Sequence, residues 1–474
     1  MKKHDILERI FVEKLIFGGK GLAKAPDGKK IIITGGVIPE SIVNLRILKI
    51  KNSYIDAQVL DVVKKSPLED KLPDHFQVYG GCKWLPIKYE KQLEIKEEQV
   101  REALYHIREF TENTNFHKIV ASPEIYGYRN KVEFSFGKYI SSKEQVHDDF
   151  RFGFHKQGEF DRIINCSYCV LADDEINEIF KEVDSFSRKS GLPTYDPFNH
   201  DGFWRHFVVR KAFYTGDIMI IFSVNTNYSG YSKIHKSDLE KFSAEISEKF
   251  KNIKSVYILG NTGKADIVSG DFRLVFGKET IREKLFDFEF EINPKSFFQT
   301  NSKGAEVLYS QVMNLIKKEK SLDVALDLYA GTGTIGIILS NLFKKVYSVE
   351  LVKEASLDGE RNAKHNNVSN IEFVNAKVED FLNEFETDIR KETGLVDLLI
   401  IDPPRDGMHP DALPNIIKFN ASQIIYVSCN PSTLARDLDF IVKNSGYEIT
   451  DVIPVDMFPH THHIETVVRL ELKK

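Results

Sequence analysis

The chain has 474 residues, 42% of them apolar and 28% charged, too long for one hydrophobic core and too ordinary in composition for a collagen-like, repeat or disordered protein. Net charge is −5, so bulk electrostatics advertise no nucleic-acid partner, yet residues 1–60 hold 11 of the 65 basic and only 6 of the 70 acidic side chains, which puts a small basic module on an acidic body. Four cysteines make no disulfide framework and suit a reducing cytoplasm, acids interrupt the opening MKKHDILERIFVEKL where a signal peptide needs an apolar run, and the longest apolar runs are strand-sized, excluding a membrane span.

From about residue 7 to 65, short β-rich runs alternate with glycine turns, as in RIFVEKLIF, GGKG and KKIIITGG, and predict a small antiparallel barrel. Residues 66–92 carry proline, glycine and a cysteine without a period and read as a connector. Helical spacing of Leu93, Ile95, Val100, Leu104 and Ile107 predicts a helix from Tyr89 to Phe110. Strand patterns such as NKVEFSFG, IMIIFSVNT and SVYILGNT then make residues 115–285 an α+β body. From about residue 320 the texture becomes strand, glycine turn, helix, repeated through VALDLYAGTGTIGIILSNL, KVYSVEL, IEFVNA, VDLLIIDPP, QIIYVSCN and TVVRLEL. That alternation predicts a parallel, doubly wound sheet, and the whole reads as a multidomain α/β protein.

The turn after VALDLY sets Gly331, Thr332 and Gly333 before an apolar helix, where glycines let backbone approach a ligand. The next strand ends at Glu350, about 20 residues on, where a carboxylate can accept from a ribose diol. This suits NAD and S-adenosylmethionine equally, and a solvated strand end remains the plain alternative. Asp402, Pro403 and Pro404 close the fourth strand at the edge where open α/β sheets bind ligands. The double proline makes a rigid loop for which a nicotinamide site has no use.

Cys429 ends the fifth strand at the same edge, just before Asn430 and Pro431. A cysteine beside a helix start can be drawn toward the thiolate, whereas alone it would read as inert core. Glu465 enters the last strand after a turn holding His460, His462 and His463, which lack the partners of a metal shell. A thiolate beside a methyl donor suits carbon 5 of uracil. Adding sulfur at carbon 6 makes an enolate that attacks the methyl group, and a base must then remove the carbon 5 proton. Glu465 is the candidate base. Amine methylation needs no thiolate, and an RNA-binding protein without catalysis needs none of these residues.

NPKSFFQTN, LDLYAGTGTIG, IDPPRDGMHP with IIYVSCNPSTLARDL, and PHTHHIETVVRL together resemble the RNA uracil-C5 methyltransferases, the family of ribosomal and transfer RNA enzymes called RumA/RlmD and TrmA, over nearly the whole chain. The resemblance implies a C-terminal Rossmann-like domain at 286–474 that uses S-adenosyl-L-methionine, with Gln299, Tyr329, Gly331, Thr334, Glu350 and Asp402 at the cofactor, Cys429 as nucleophile and Glu465 as base. Phe297 resembles the residue that packs near the flipped uracil. Lys377 stands where the family has Asn or Asp facing the adenine. Residues 1–65 look like a TRAM domain, an RNA-binding barrel of the ribosomal branch, which implies 23S rRNA as partner with tRNA second, and no obligate protein partner. In a central domain at 66–285, YGYRNK is similar to the family's YRNR and implies RNA contacts for Arg129 and Lys131. Of the family's four cluster cysteines only Cys82 and Cys169 match. Pro73 and Tyr79 stand in the other two places, Cys166 is extra, and no iron–sulfur cluster is expected.

Overall fold

The computed structural model of the chain describes residues 1–73, 76, 78–107, 114–141, 146–156, 162–230, 233–317, 322–384 and 396–473. Two compact units emerge, both discontinuous in sequence. One comprises Met1–Gln92, Glu124–Arg282 and Pro459–His462, the other Leu93–Pro123, Glu283–Phe458 and His463–Lys474. No helix among the described residues is long and apolar enough to cross a membrane.

The first unit opens with a six-stranded sheet ordered Ile6–Phe11, Ile42–Ile50, Tyr54–Lys64, Lys30–Thr34, Lys20–Lys24, Lys14–Ile16. Period-two alternation builds its interior: Val43, Leu45 and Ile47 are buried while Arg46 and Leu48 face out. The expected all-antiparallel arrangement fails at one pair, because Lys30–Thr34 and Tyr54–Lys64 run parallel. Ile42–Ile50 intervenes in sequence and pairs on the far side of Tyr54–Lys64, so the chain returns in its original direction.

The unit continues in a seven-stranded sheet ordered Ile163–Asn165, Val146–His155, Lys131–Ser141, Trp204–Lys211, Ile218–Val224, Ile253–Gly260, Asp271–Gly277. Two helices, Asp174–Lys189 and Lys233–Lys249, accompany it. Asp173 caps the first by accepting from the Ile176 N–H at 2.9 Å. An aromatic core joins helix to sheet: Phe152 stacks on Phe136 at 4.0 Å and on Phe180 at 4.4 Å between ring centroids. The segment read as a connector packs its second half into the unit, where Cys82, Trp84, Leu85 and Ile87 are all buried, while Pro67, Asp70, Lys71 and Pro73 are exposed.

The second unit holds an eight-stranded sheet ordered Ile371–Asn375, Phe343–Glu350, Leu322–Leu328, Leu398–Ile401, Gln423–Ser428, Glu465–Leu472, Tyr447–Val455, Asn115–Phe116. Leu398–Ile401 and Gln423–Ser428 are buried at every residue, as strands covered on both faces must be. The first five strands are parallel, whereas Glu465–Leu472 is antiparallel to both its neighbours. A parallel return needs a long crossover, usually a helix, and the segment from Val455 to Glu465 is short and carries none. The helix beginning at Tyr89 runs to Leu104, and the end expected for it at Phe110 lies outside the described residues.

Candidate active site

Strand Leu322–Leu328 is followed by a turn that needs three left-handed residues: Tyr329 at φ 61°, Gly331 at 57° and Gly333 at 66°. A side chain at Gly333 would start 2.3 Å from the Phe373 ring, whereas nothing lies within 4 Å of where one at Gly331 would start. The first glycine is required by packing, the second faces open space. Glu350, at the end of the adjacent strand, straps the turn. Its Oε2 accepts from the Gly331 N–H at 2.8 Å and its Oε1 from the Val352 N–H at 2.7 Å. Thr334 is buried at the start of helix Thr334–Leu339, its hydroxyl 3.2 Å from that of Thr332. The Tyr329 hydroxyl is buried near the His409 backbone, and burial pushes its pKa to about 12.

Asp402 leaves strand Leu398–Ile401 into a loop held from below. Its N–H reaches the Leu328 carbonyl at 3.4 Å, and the Gly407 N–H closes a turn onto the Pro404 carbonyl at 2.8 Å. Helix Pro431–Asn444 supplies the anchors. Asp437, fully buried, accepts from the Met408 N–H at 2.8 Å and the Tyr426 hydroxyl at 2.7 Å, and Arg436 joins it while donating to the carbonyls of Asp406 and Met408. Asn430 caps the helix through the Ser432 N–H at 3.0 Å and donates to the Arg405 carbonyl at 3.0 Å. The residue next to Cys429 therefore ties the Asp402 loop to the end of the Cys429 strand.

Cys429, Glu465, Asp402 and Gln299 come together, and Tyr309, Asp327 and Arg405 join them. Burial first, then the charges of Glu465 and Asp402, push the Cys429 thiol to about 11, with the Arg405 guanidinium opposing. The sequence favoured a thiolate drawn down by the helix start. In the assembled site desolvation and two carboxyl neighbours outweigh it. Glu465 is 6% exposed, and burial with the nearby Asp402 raises its pKa well above the usual range. Asp402 rises to about 7 through burial and the charge of Asp327. Asp327, fully enclosed, also rises to about 7 although Gly336 N–H and the Ser348 hydroxyl donate to it. Tyr309 hydrogen-bonds the Gln299 side chain amid these three carboxyls, and burial drives its hydroxyl far up. Paired carboxyls whose environment keeps them partly neutral near pH 7 are poised for proton transfer.

Phe297 sits on a built turn. Asn293 Oδ1 accepts from the N–H groups of Lys295 and Ser296, and Asp358 Oδ2 accepts from the Ser296 hydroxyl at 2.5 Å and the Asn293 amide at 2.7 Å. The turn buries Phe298 and leaves Phe297 66% exposed. Lys377 is exposed beside strand Ile371–Asn375. Arg129 and Lys131 belong to the other unit. They are not solvated strand charges: Arg129 Nε is buried without an acceptor among the described residues, and Lys131, paired in register with Arg210, has its pKa lowered by burial and by that second cation. In the same unit, the buried Cys82, Cys166 and Cys169 surround Tyr79, whose hydroxyl is 2.6 Å from the Cys169 sulfur. Among the described residues no group of His, Cys, Asp or Glu is placed to hold a metal. His460, left-handed at φ 63°, stacks on Tyr126 at 4.8 Å, and the Gln92 side-chain amide lies 3.0 Å from its Nδ1.

Sequence reasoning missed Tyr309, Asp327, Arg405 and Asp437. Asp327, Arg405 and Asp437 stand inside motifs already singled out. Tyr309, in the helix Ser302–Leu315, sits at core spacing and carries no local signal.

The sequence model of the tRNA (uracil-5-)-methyltransferase family matches residues 88–473. An uncharacterized RNA methyltransferase of Clostridium acetobutylicum is 38% identical over 100% of this chain and 99% of its own length. One of Caldanaerobacter subterraneus is 34% identical over 99% and 100%. Among solved structures, the Pyrococcus abyssi tRNA (uracil-54, C5)-methyltransferase in complex with S-adenosyl-L-homocysteine superimposes with a TM-score of 0.72 at 27% identity, covering 98% of this chain and 100% of that one.

Proposed function

The chain belongs to the tRNA (uracil-5-)-methyltransferase family, and on that footing we propose that it transfers a methyl group from S-adenosyl-L-methionine to carbon 5 of a uridine in RNA, with 23S rRNA as first substrate. The observation that carries this reading is the meeting of a half-buried thiol, Cys429, with two carboxyls of raised pKa, Glu465 and Asp402, at the carboxyl edge of a parallel sheet.

The residues present fit the cofactor. Gly331 borders open space, and Asp402, its carboxyl kept partly neutral near pH 7 by burial and by Asp327, stands at the end of the neighbouring strand. Each Glu350 oxygen keeps a lone pair beyond its backbone bond, suited to ribose hydroxyls. Gln299 and Thr334 complete the lining. Bound there, S-adenosyl-L-methionine supplies an electrophilic methyl group on a cationic sulfur.

Cys429, ionised with the help of Arg405, adds through sulfur to carbon 6 of the uracil and makes carbon 5 nucleophilic. Once carbon 5 carries the methyl group, Glu465 as carboxylate takes the proton left there. The ring electrons then expel the sulfur and restore the aromatic base. Phe297, exposed on its rigid turn, supplies an apolar face for a base turned out of its stack. Arg129 and Lys131 meet phosphates. Residues 1–65 serve as a TRAM-like RNA-binding barrel, 66–285 as the central RNA-binding domain, save for Leu93–Pro123, which belongs to the second unit, and 286–474 as the methyltransferase domain, working in the cytoplasm without an iron–sulfur cluster.

Transfer RNA is the second reading. The archaeal neighbour named for a tRNA uracil matches 98% of this chain, so the N-terminal sheet does not by itself separate the substrates. Incubating the protein with labelled cofactor and separate unmodified 23S rRNA and tRNA pools, followed by nucleoside analysis, tests both. Label in 5-methyluridine from rRNA is the expected result, label from tRNA moves the substrate, and label in neither removes the proposal. With Cys429→Ala, turnover and covalent trapping both vanish; near-normal methylation would refute the nucleophile. Glu465→Gln accumulates an RNA–protein adduct, and absence of any adduct removes Glu465 as base.

A further inference from the structure

The seven-stranded sheet of the first unit carries a cavity of about 270 Å³ that none of the roles above uses. Among its lining residues are Tyr195 and Arg205, whose guanidinium lies on the Tyr195 ring, Cζ 4.0 Å from the centroid. Arg205 is 2% exposed. It donates from its terminal nitrogens to the carbonyls of Asn261, Gly263 and Ala265, but its Nε is buried with no acceptor among the described residues. A buried donor left unsatisfied is costly and rare, so this nitrogen, on a residue that lines the cavity, calls for an acceptor from outside the chain.

The rim points the same way. Phe198 lines the cavity yet is 73% exposed. Its position is not slack. Asp196 Oδ1 accepts from the Phe198 N–H at 2.9 Å, the His200 N–H reaches the Asp196 carbonyl at 2.9 Å, and Asn199 Oδ1 accepts from the Asp201 N–H at 3.0 Å. His200 is left-handed at φ 60°. A turn tied this firmly holds an aromatic face outward where burial would otherwise be favoured. Lys138, 3.3 Å from Asp196, and Arg162 add two cations to the same lining, which also holds the carboxylates of Asp196 and Asp266 and so keeps a net positive charge only through Arg205. An exposed ring, two cations and a buried N–H donor around a space of this size match a flat heterocycle with an acceptor edge and an attached phosphate. A hydrocarbon ligand would leave Arg205 Nε unsatisfied, and a simple anion would leave Phe198 without purpose.

Resting on the RNA-methyltransferase reading, we propose that this cavity receives one unpaired nucleotide of the substrate RNA, away from the uridine that reacts. Its base lies on Phe198 with an acceptor toward Arg205 Nε, and its phosphate meets Lys138 and Arg162. The site anchors an unstacked nucleotide and so favours looped over double-stranded RNA.

The test is fluorescence anisotropy of a short, unstructured, labelled RNA oligonucleotide against the full chain. Phe198→Ala weakens binding about tenfold or more, the scale of one base stacked on an aromatic ring. Phe198→Tyr restores it, while Phe198→Leu, equally apolar but unable to stack, does not. Thermal unfolding is unchanged in all three because Phe198 is exposed. In the methylation assay Phe198→Ala raises KM for RNA with kcat retained. Equal binding of the oligonucleotide by Phe198→Ala and the native chain overturns the proposal, as does failure of the native chain to bind it. If the native chain binds and Phe198→Ala does not, yet no RNA is methylated, the cavity assignment stands and the catalytic reading falls.

Discussion

Asp437→Ala removes the acceptor of two buried donors at once. The Met408 N–H and the Tyr426 hydroxyl both point at Asp437 Oδ2, at 2.8 and 2.7 Å, from residues 1% and 0% exposed. Each buried donor left unsatisfied costs about 1–3 kcal/mol. Arg436 is half exposed, so losing its pairing adds less than about 1 kcal/mol. Water entering the vacated space recovers part of the loss, which leaves about 3 kcal/mol against the loop 402–408. At about 1.4 kcal/mol per decade the loop should open about a hundredfold more often. Hydrogen exchange followed by mass spectrometry reads this directly on a peptide spanning Asp402 to Met408, and methyl transfer should fall because Asp402 rides on the loop. Asp437→Asn keeps one acceptor oxygen and should lie between the two. Unchanged protection of that peptide in Asp437→Ala would show that the loop is held by something other than helix Pro431–Asn444.

Lys96 and Asp456 form a 2.7 Å ion pair with both side chains 0% exposed, so Lys96→Met leaves a buried carboxylate uncompensated at about 3–5 kcal/mol, while Lys96→Met with Asp456→Leu should recover most of it; denaturant melts that show the single variant as stable as the native chain refute this. Asp327 ionises near 3.8 when unfolded and near 7 when folded, so the folded state holds a proton the unfolded chain lacks between those values, and stability falls as pH rises through that window. Asp327→Asn should flatten this dependence and stabilise the protein at pH 8 by at most about 4 kcal/mol, and an unchanged pH profile would count against a buried, protonated Asp327. The methylation rate should rise with pH above neutrality, because Cys429, pushed to about 11, and Glu465, raised well above its usual range, both act deprotonated; a rate that declines over that range contradicts their assignment.

Much of the molecule was legible in the order of residues. Apolar runs of strand length separated by helical repeats located six of the seven strands from Leu322 to Leu472, missing Tyr447–Val455, and the glycine turn, the double proline and the strand-end cysteine marked the working edge of the sheet, because backbone geometry and the period of side chains are local properties. Tertiary structure decided the rest. The last strand runs antiparallel because a short segment replaces the helical crossover, Lys131 is partly buried beside Arg210 and so is not a surface charge, and three thiols gather on Tyr79 from distant segments. It also set the protonation of the site, leaving Cys429 a thiol and Glu465 and Asp402 poised to hold protons. Desolvation and charge act through space and sum over neighbours from every element packed around a group, so no window of sequence contains them.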